Sequence, residues 1–300
     1  MSNASLFAQF PGQGSQKIGM GVALFEKYPL AQEYYKIAES KLGFSLYDIC
    51  KDGPIEKLTM TEIAQPAILT VSAIVFELVK GKFDIKAGAG HSLGEYSALV
   101  AAGAISYEDA VLVVHKRGKY MQNAVPAGTG KMVAVLGKDL SELETALSNI
   151  EGVAEIANIN APGQIVVSGD VKGVDNFVKA LGTAKVIELP VSAPFHCSLM
   201  KEAEVSLAED LKALKINKPN FPIISNFTAE PTTDPEVIRE NLIKQVCGRV
   251  RWVETIEKAK NLYGISEAIE FGFGNTLTGM LKRIDKSVKG INIEDPASVG

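Results

Sequence analysis

"GHSLG", residues Gly90–Gly94, stands between a short apolar run and a helical pattern. The run Ile85 to Gly90 predicts a strand, and Leu93 to Ala102 predicts a helix that a glycine closes. The five residues match G-x-S-x-G, in which a sharp strand-to-helix turn exposes the serine hydroxyl and leaves no room for β-carbons around it. We therefore interpret Ser92 as a candidate nucleophile and the amide of Leu93 as a donor to an oxyanion. A small-residue helix start would fit the five residues equally well.

The regions around this turn alternate between strand-like and helical segments. The further strand candidates are Leu6 to Phe10, Pro222 to Asn226 and Glu267 to Phe271. Such alternation predicts an α/β fold in which the strands are parallel.

The middle of the chain has a different order, namely strand, helix, strand, strand, helix, strand. The segments are Met132 to Leu136, Leu140 to Leu147, Val153 to Ile159, Ile165 to Ser168, Val174 to Leu181 and Val186 to Leu189. This order is typical of the ferredoxin-like βαββαβ unit, and proline-containing stretches at 126–128 and 190–194 mark its borders. We therefore predict a small domain over residues 127–196, inserted into a large domain formed by residues 1–126 and 197–300.

Composition narrows the class of protein. Of the 300 residues, 46% are hydrophobic and 22% are charged, as in an ordinary soluble enzyme. A net charge of −4, from 31 basic and 35 acidic residues, provides no general attraction for nucleic acid or for an anionic membrane. We therefore expect neither as a partner.

Apolar runs and cysteines indicate a cytoplasmic protein. The longest apolar stretch, Ala67 to Leu78, is too short to span a bilayer, and the N-terminus has no signal-peptide pattern. Three cysteines without CxxC spacing predict reduced thiols rather than disulfides or a zinc site. The first four residues, Met1–Ala4, carry no pattern, and we leave them out of the fold prediction.

A glycine-rich loop, FPGQGSQ (Phe10–Gln16), follows the first predicted strand. Loops of this kind often bind phosphate through bare backbone amides. A dinucleotide fingerprint, however, requires a third glycine where Lys17 stands, and a Walker loop requires Lys-Ser/Thr where Met20 and Gly21 stand. The loop is therefore not predicted to bind phosphate.

A serine nucleophile needs a base, and the chain has three histidines. His91 adjoins Ser92 and is expected to point away from it, and His115 lies among apolar residues, where core packing is the better interpretation. His196 lies where the predicted small domain returns to the large one, so it would face Ser92 across the cleft. Taken alone, His196 is equally consistent with a hinge or cap residue. No Asp or Glu was found that completes a triad in the order Ser, acid, His.

An arginine interrupts an apolar stripe in the helix that Ser106 opens. The stripe is Ala110, Val113, Val114, Arg117 and Met121. A guanidinium at a core position indicates a role in binding, although a side chain that snorkels at the edge of the stripe is the alternative.

Five motifs together resemble the malonyl-CoA:acyl-carrier-protein transacylases of bacterial fatty-acid synthesis, and they are also similar to the acyltransferase domains of polyketide synthases. They are FPGQGSQ, GHSLGEYSALVAAG, VSAPFHCSLM, QVCGRVRW and EFGFGNTLTGMLKRI. They follow the order of the family, and the likeness runs from about Phe7 to Pro296. The resemblance implies an α/β-hydrolase-like large domain with an inserted ferredoxin-like small domain.

The resemblance also implies roles for individual residues. Ser92 is the expected nucleophile and His196 its base, oriented by the backbone carbonyl of Gln245 instead of a carboxylate. The backbone amides of Gln13 and Leu93 are the expected oxyanion hole, so the glycine-rich loop would face a thioester oxygen.

Arg117 matches the residue that holds the substrate carboxylate, and Asn160 is a weaker, non-catalytic site candidate. The implied reaction carries the malonyl group from malonyl-CoA to the phosphopantetheine thiol of an acyl carrier protein through a malonyl-serine, without a metal or redox cofactor, in a monomer. The alternatives are a freestanding polyketide acyltransferase or an acyl hydrolase. In a non-catalytic docking module, Ser92 or His196 would be replaced, and neither is.

Overall fold

The computed structural model describes residues 5–191 and 193–299. Met1–Ala4, which the fold prediction left out, lie outside the described residues, as do Ser192 and Gly300.

The described strands form two separate sheets. In chain order they are β1 Leu6–Phe10, β2 Ile85–Gly90, β3 Gly130–Leu136, β4 Ala154–Ala161, β5 Gln164–Asp170, β6 Lys185–Glu188, β7 Ile223–Ile224, β8 Pro231–Thr232, β9 Glu267–Phe271 and β10 Lys289–Ile293. The larger sheet has the order β10-β9-β1-β2-β7-β8 and the smaller one β4-β5-β3-β6.

The larger sheet is parallel from β10 to β7. The predicted bounds of β1, β2 and β9 are confirmed. The strand predicted over Pro222 to Asn226 is shorter, and a short antiparallel partner, β8, follows it, so the prediction of parallel strands alone was wrong at this edge. The first residue of β8, Pro231, has no amide to donate, which suits an outer strand. The edge strand β10 was not predicted, because most of it is half-buried and gives no apolar run.

The smaller sheet is antiparallel throughout. Its strand order and its two intervening helices confirm the ferredoxin-like prediction, with strand ends shifted by at most two residues. A hydrophobic cluster of its own, which includes Val135, Leu143, Val167 and Phe177, packs the helices onto one face. The unit therefore has its own core.

The helices cover both sheets. They are α1 Val22–Lys27, α2 Pro29–Leu42, α3 Leu46–Asp52, α4 Ile55–Thr59, α5 Thr61–Val79, α6 Gly94–Ala101, α7 Tyr107–Asn123, α8 Leu140–Leu147, α9 Val171–Leu181, α10 Lys201–Ala213, α11 Pro235–Gln245, α12 Trp252–Tyr263 and α13 Thr276–Ile284. Separate hydrophobic clusters lie on the two faces of the larger sheet, one around α5, α6 and α7 and one around α12 and α13. The sheet is therefore sandwiched between helices.

The central helix α5 is apolar along nearly its whole length. By length and composition the stretch Thr61–Lys82 is long enough to cross a membrane, but 83% of its most apolar window is buried inside the protein. It is thus a core helix.

The three cysteines are free thiols, as predicted.

The turn from β2 into α6 depends on close backbone contact. Ser92 has a φ of 52°, a left-handed conformation that non-glycine residues seldom adopt. Gly94, the first residue of α6, lies so close to β1 that a β-carbon there would stand 2.1 Å from the Phe10 carbonyl oxygen. This contact holds the turn against the end of β1.

We therefore predict that Gly94→Ala destabilises the protein, because the new methyl group would displace backbone and cost about 1–3 kcal/mol or more. Gly279→Ala is the matched control, since a β-carbon at this position in α13 meets nothing within 4 Å. The control should be neutral or stabilising by up to ~1 kcal/mol, because alanine favours a helix over glycine. Thermal unfolding of both variants measures the difference, and equal melting temperatures would contradict the packing argument.

Candidate active site

A cavity of about 380 Å³ opens between the larger sheet and the smaller one. It lies at the carboxyl ends of β1 and β2, where loops from parallel strands converge. The predicted site residues that line it are Gln13, Ser92, Leu93, Arg117, Asn160 and His196. The fold thus brings together residues that are up to 183 positions apart, from Gln13 to His196.

Ser92 and His196 form a direct hydrogen bond, with 2.7 Å between Ser92 Oγ and His196 Nε2. The other ring nitrogen, Nδ1, lies 2.9 Å from the Gln245 carbonyl oxygen and 3.2 Å from that of Gly248. Because these two carbonyls only accept, Nδ1 carries the proton and Nε2 is left to accept from the serine hydroxyl. The pair therefore has the arrangement of a nucleophile and its general base.

His196 is kept neutral by its surroundings. Burial, and after it the charge of Arg117, lowers the pKa of His196 to about 3. Its backbone, like that of Ser92, is left-handed, with a φ of 59°. Non-glycine residues persist in this conformation only where the surrounding structure holds them, often at functional sites.

The two amides expected to form an oxyanion hole have no described hydrogen-bond acceptor. Among the hydrogen bonds of the described residues, neither the Gln13 nor the Leu93 backbone N–H donates to a protein oxygen. Gly12 brings the two segments together, since a β-carbon there would stand 2.4 Å from the His91 carbonyl oxygen. The glycine-rich loop consequently lies directly against the Ser92 turn.

Arg117 is one of the largest fully buried side chains, with an exposed fraction of 1%. The alternative of a snorkelling side chain is therefore wrong. Its guanidinium donates to Gln65 Oε1 at 2.8 Å, to Gln245 Oε1 at 2.9 Å and to Ser92 Oγ at 3.2 Å. No described carboxylate lies within 4.0 Å of it.

The environment of Arg117 favours an anion as an additional partner. Burial lowers the pKa of Arg117, but a guanidinium remains charged in proteins. Neutral amide oxygens stabilise a buried cation only in part, so a carboxylate that enters the cavity would gain a full counter-charge.

Sequence reasoning missed a buried acid beside these residues. Glu95, in the first turn of α6, has an exposed fraction of 2%. Its Oε2 accepts from the Gln245 side-chain amide at 2.8 Å and from the Asn226 backbone N–H at 2.9 Å. Burial raises the pKa of Glu95 to about 7, although these hydrogen bonds and Arg117 oppose the shift. The available signal was a glutamate within an otherwise apolar helix start.

Asn226 holds the Ser92 turn from the other side. Its Oδ1 accepts from the Ser92 backbone N–H at 2.6 Å, and its Nδ2 donates to the Gly90 carbonyl at 2.7 Å. Its backbone N–H donates to Glu95 and its carbonyl accepts from the Arg251 amide, so Asn226 pairs with no strand and the predicted strand Pro222 to Asn226 ends before it.

Asn160 connects the smaller sheet to the same turn. Its Oδ1 lies 2.7 Å from His91 Nε2, and the His91 ring packs 5.6 Å from that of Trp252. Burial lowers the pKa of His91, so its ring is neutral and Nε2 donates to Asn160. The third histidine, His115, instead bonds the Glu62 carbonyl at 2.7 Å.

Comparison with known proteins identifies the family. A family model described as the acyl transferase domain matches residues 9–297. The chain is 44% identical over 297 residues to the malonyl CoA-acyl carrier protein transacylase of Bacillus subtilis, covering 97% of this chain and 93% of the relative. It is 39% identical over 298 residues to that of Escherichia coli K12, covering 97% and 96%.

Solved structures agree with these relatives. An acyl carrier protein S-malonyltransferase from Vibrio cholerae has a TM-score of 0.95 at 39% identity, covering 99% of both chains. A malonyl-transacylase solved in complex with a type II polyketide acyl carrier protein also has a TM-score of 0.95, at 36% identity, covering 99% of this chain and 98% of that one. The likeness confirms the predicted α/β-hydrolase-like fold with a ferredoxin-like insertion. The chain therefore belongs to the acyl transferase domain family, as one of its malonyl CoA-acyl carrier protein transacylases.

Proposed function

We propose that this protein transfers a malonyl group from malonyl-CoA to the phosphopantetheine thiol of an acyl carrier protein, through a malonyl ester of Ser92. The observation that carries the proposal is the buried Arg117 guanidinium beside the Ser92–His196 pair, in one cavity. A nucleophile with its base supplies acyl transfer, and the adjacent cation selects an acyl group that ends in a carboxylate.

The first half-reaction acylates the enzyme. His196 Nε2 accepts the proton of Ser92 Oγ as the oxygen attacks the thioester carbonyl carbon. The amides of Gln13 and Leu93 stabilise the negative charge that develops on the carbonyl oxygen, and such a donor typically contributes ~3 kcal/mol. His196 then returns its proton to the sulfur of CoA as the carbon–sulfur bond breaks.

The second half-reaction repeats these steps with a different thiol. The phosphopantetheine sulfur loses its proton to His196 and attacks the ester of Ser92, and the serine oxygen recovers the proton as it leaves. Because CoA departs before the carrier reacts, the two substrates should follow ping-pong kinetics.

Residues 127–196 are proposed to form the small domain and the remainder the large one. Support comes from the separate antiparallel sheet between β3 and β6 and from its own hydrophobic cluster. The site would then lie between two domains, with Asn160 and His196 supplied by the inserted unit. The protein is also proposed to act in the cytoplasm, as the lengths of its apolar runs predict.

A second candidate for the acceptor is a polyketide carrier protein. It rests on the structural neighbour whose partner is a type II polyketide acyl carrier protein. Transfer assays with carriers of both kinds, together with a measurement of malonyl-CoA hydrolysis, distinguish these acceptors from water.

The Ser92→Ala variant should form no malonyl-enzyme, because the reacting oxygen is removed while the fold is retained. Mass spectrometry of protein mixed with malonyl-CoA should show the malonyl adduct in the wild type alone. Stoichiometric labelling of the variant would show that another residue is the nucleophile.

Acylation should remain fast in mildly acidic solution, because the pKa of His196 is lowered to about 3 and its neutral, basic form persists below pH 6. An imidazole with an ordinary pKa of ~6.5 would lose about tenfold in rate at pH 5.5. Rapid-quench measurement at saturating malonyl-CoA, between pH 5.5 and 8, tests this. As a control, His196→Ala should be slower by about 10²–10⁴-fold throughout. A tenfold loss at pH 5.5 in the wild type would contradict the lowered pKa.

Arg117→Ala should lower kcat/KM for malonyl-CoA by on the order of 10²–10³-fold, because a desolvated charge pair worth ~3–4 kcal/mol is lost. Turnover of acetyl-CoA should stay constant or rise, since it has no carboxylate to pair. Arg117→Lys should recover only part of the loss, because an ammonium cannot form two parallel hydrogen bonds. Steady-state kinetics with both thioesters provide the measurement, and an equal fall for the two would assign Arg117 a structural role.

A further inference from the structure

A buried carboxyl group, Glu95, is joined to Arg117 through one amide, and the mechanism above does not use it. We propose that Glu95 is a positioning residue that sets the strength of the Arg117 site and takes up a proton when the malonyl carboxylate binds. This inference rests on the proposed function, since it concerns the same site.

The path from Glu95 to Arg117 consists of two hydrogen bonds through Gln245. The Gln245 Nε2 donates to Glu95 Oε2 at 2.8 Å and to the Ser92 carbonyl at 3.0 Å. The Gln245 Oε1 then faces Arg117 and accepts from it at 2.9 Å. If the Gln245 side chain were flipped, its NH2 group would face the guanidinium, and donors would oppose donors. Because Glu95 and the Ser92 carbonyl accept from this NH2 group, they fix the orientation that Arg117 needs.

The same residue also contacts the base. The backbone carbonyl of Gln245 accepts from His196 Nδ1 at 2.9 Å, and its side chain is fully buried. A change in the charge of Glu95 is therefore transmitted to the anion site along a short, dry path.

The charges in the pocket explain why a proton is taken up when the malonyl carboxylate binds. Without substrate, Arg117 is the charged side chain that acts on Glu95, and the groups that hydrogen-bond Glu95, on Asn226, Gln245 and Ser225, are neutral. The neighbouring Tyr96 does not ionise near neutrality, because burial raises its pKa well above the usual value for a tyrosine. A malonyl carboxylate on Arg117 would place a second negative charge in this low-dielectric cavity.

Two carboxylates that share one cation cannot both remain ionised at little cost, so one of them takes up a proton. The malonyl carboxylate is in direct contact with the guanidinium, and Glu95 is one amide further away. Glu95 is therefore the group that is protonated. Its pKa of about 7 without substrate means that this uptake occurs in the neutral range.

Binding of malonyl-CoA should consequently weaken as pH rises above 7, because the ionised Glu95 must first be protonated. Calorimetry with the full-length Ser92→Ala chain, which binds without reacting, measures the Kd between pH 6.5 and 8.5. We expect an increase of about tenfold or more across this range, and uptake of up to about one proton per site in buffers of different ionisation enthalpy. Free CoA is the ligand control. It carries the same titrating phosphates as malonyl-CoA but has no malonyl carboxylate.

Two further variants separate Glu95 from other buried acids. In Ser92→Ala/Glu95→Gln the carbonyl acceptor for Gln245 is kept and the charge is removed, so the malonyl-specific pH dependence and proton uptake should vanish. Ser92→Ala/Glu270→Gln is matched, because Glu270 is equally buried but bonds the Leu277 and Thr278 amides of α13 instead. This control should keep the pH dependence of the parent.

Absence of malonyl-specific proton uptake in the Ser92→Ala chain would overturn the inference. Glu95 is unchanged in this chain, so the result does not depend on how a substitution there affects folding. A pH dependence that persists in the Glu95→Gln background would overturn it as well. Malonyl transfer by the wild-type chain is assayed separately. Its absence would refute the proposed function, whereas intact transfer with pH-independent binding would refute only the role of Glu95.

Discussion

The site depends on the hydrogen bonds of one residue, Gln245, at the end of α11. Its backbone carbonyl orients His196, its side-chain oxygen accepts from Arg117, and its side-chain nitrogen donates to the Ser92 carbonyl and to Glu95. His196, Arg117 and Ser92 are thereby fixed relative to one another by a single buried residue. The Gln245 side-chain amide has partners at both ends, and turning it around would leave buried groups unpaired, so its orientation is fixed.

The distribution of charge around His196 and Arg117 is a second feature of the site. A backbone carbonyl, and not a carboxylate, receives the Nδ1 proton of His196, so no fixed negative charge lies beside the base. A carboxylate there would compete with substrate for Arg117 and would raise the pKa of the imidazole. The neutral carbonyl keeps His196 unprotonated at Nε2 and adds no charge that would pair with Arg117.

The two sheets contribute different parts of this arrangement. The parallel sheet provides the ends of β1 and β2, which hold the glycine-rich loop and the Ser92 turn together at the Gly94–Phe10 contact. The antiparallel sheet provides Asn160, whose bond to His91 joins the two sides of the cleft. Backbone hydrogen bonds between β4 and Val250 join the two sides as well, so the cleft is held by more than one contact.

The sequence by itself determined the local features. Strands β1, β2 and β9 have their predicted bounds, since buried parallel strands give short apolar runs, and GHSLG predicted the turn because its glycines are required by the local backbone. Arg117 was visible as a charge in an apolar stripe. The outer strands β8 and β10 could not be predicted from the sequence, because they are short or half-buried and give no apolar run.

Only the tertiary structure decided which polar groups surround Glu95. The pair of Ser92 and His196 was predicted, but Asn226 and Gln245 lie 131 and 150 positions from Glu95, and no pattern in the sequence indicates these contacts. A glutamate in a helix is ordinarily solvent-exposed, and the sequence around Glu95 does not show that Asn226 and Gln245 bond its buried carboxylate. Partners far apart in the chain become neighbours through the packing of whole elements, and that packing alone gave Glu95, Asn226 and Gln245 their shared environment.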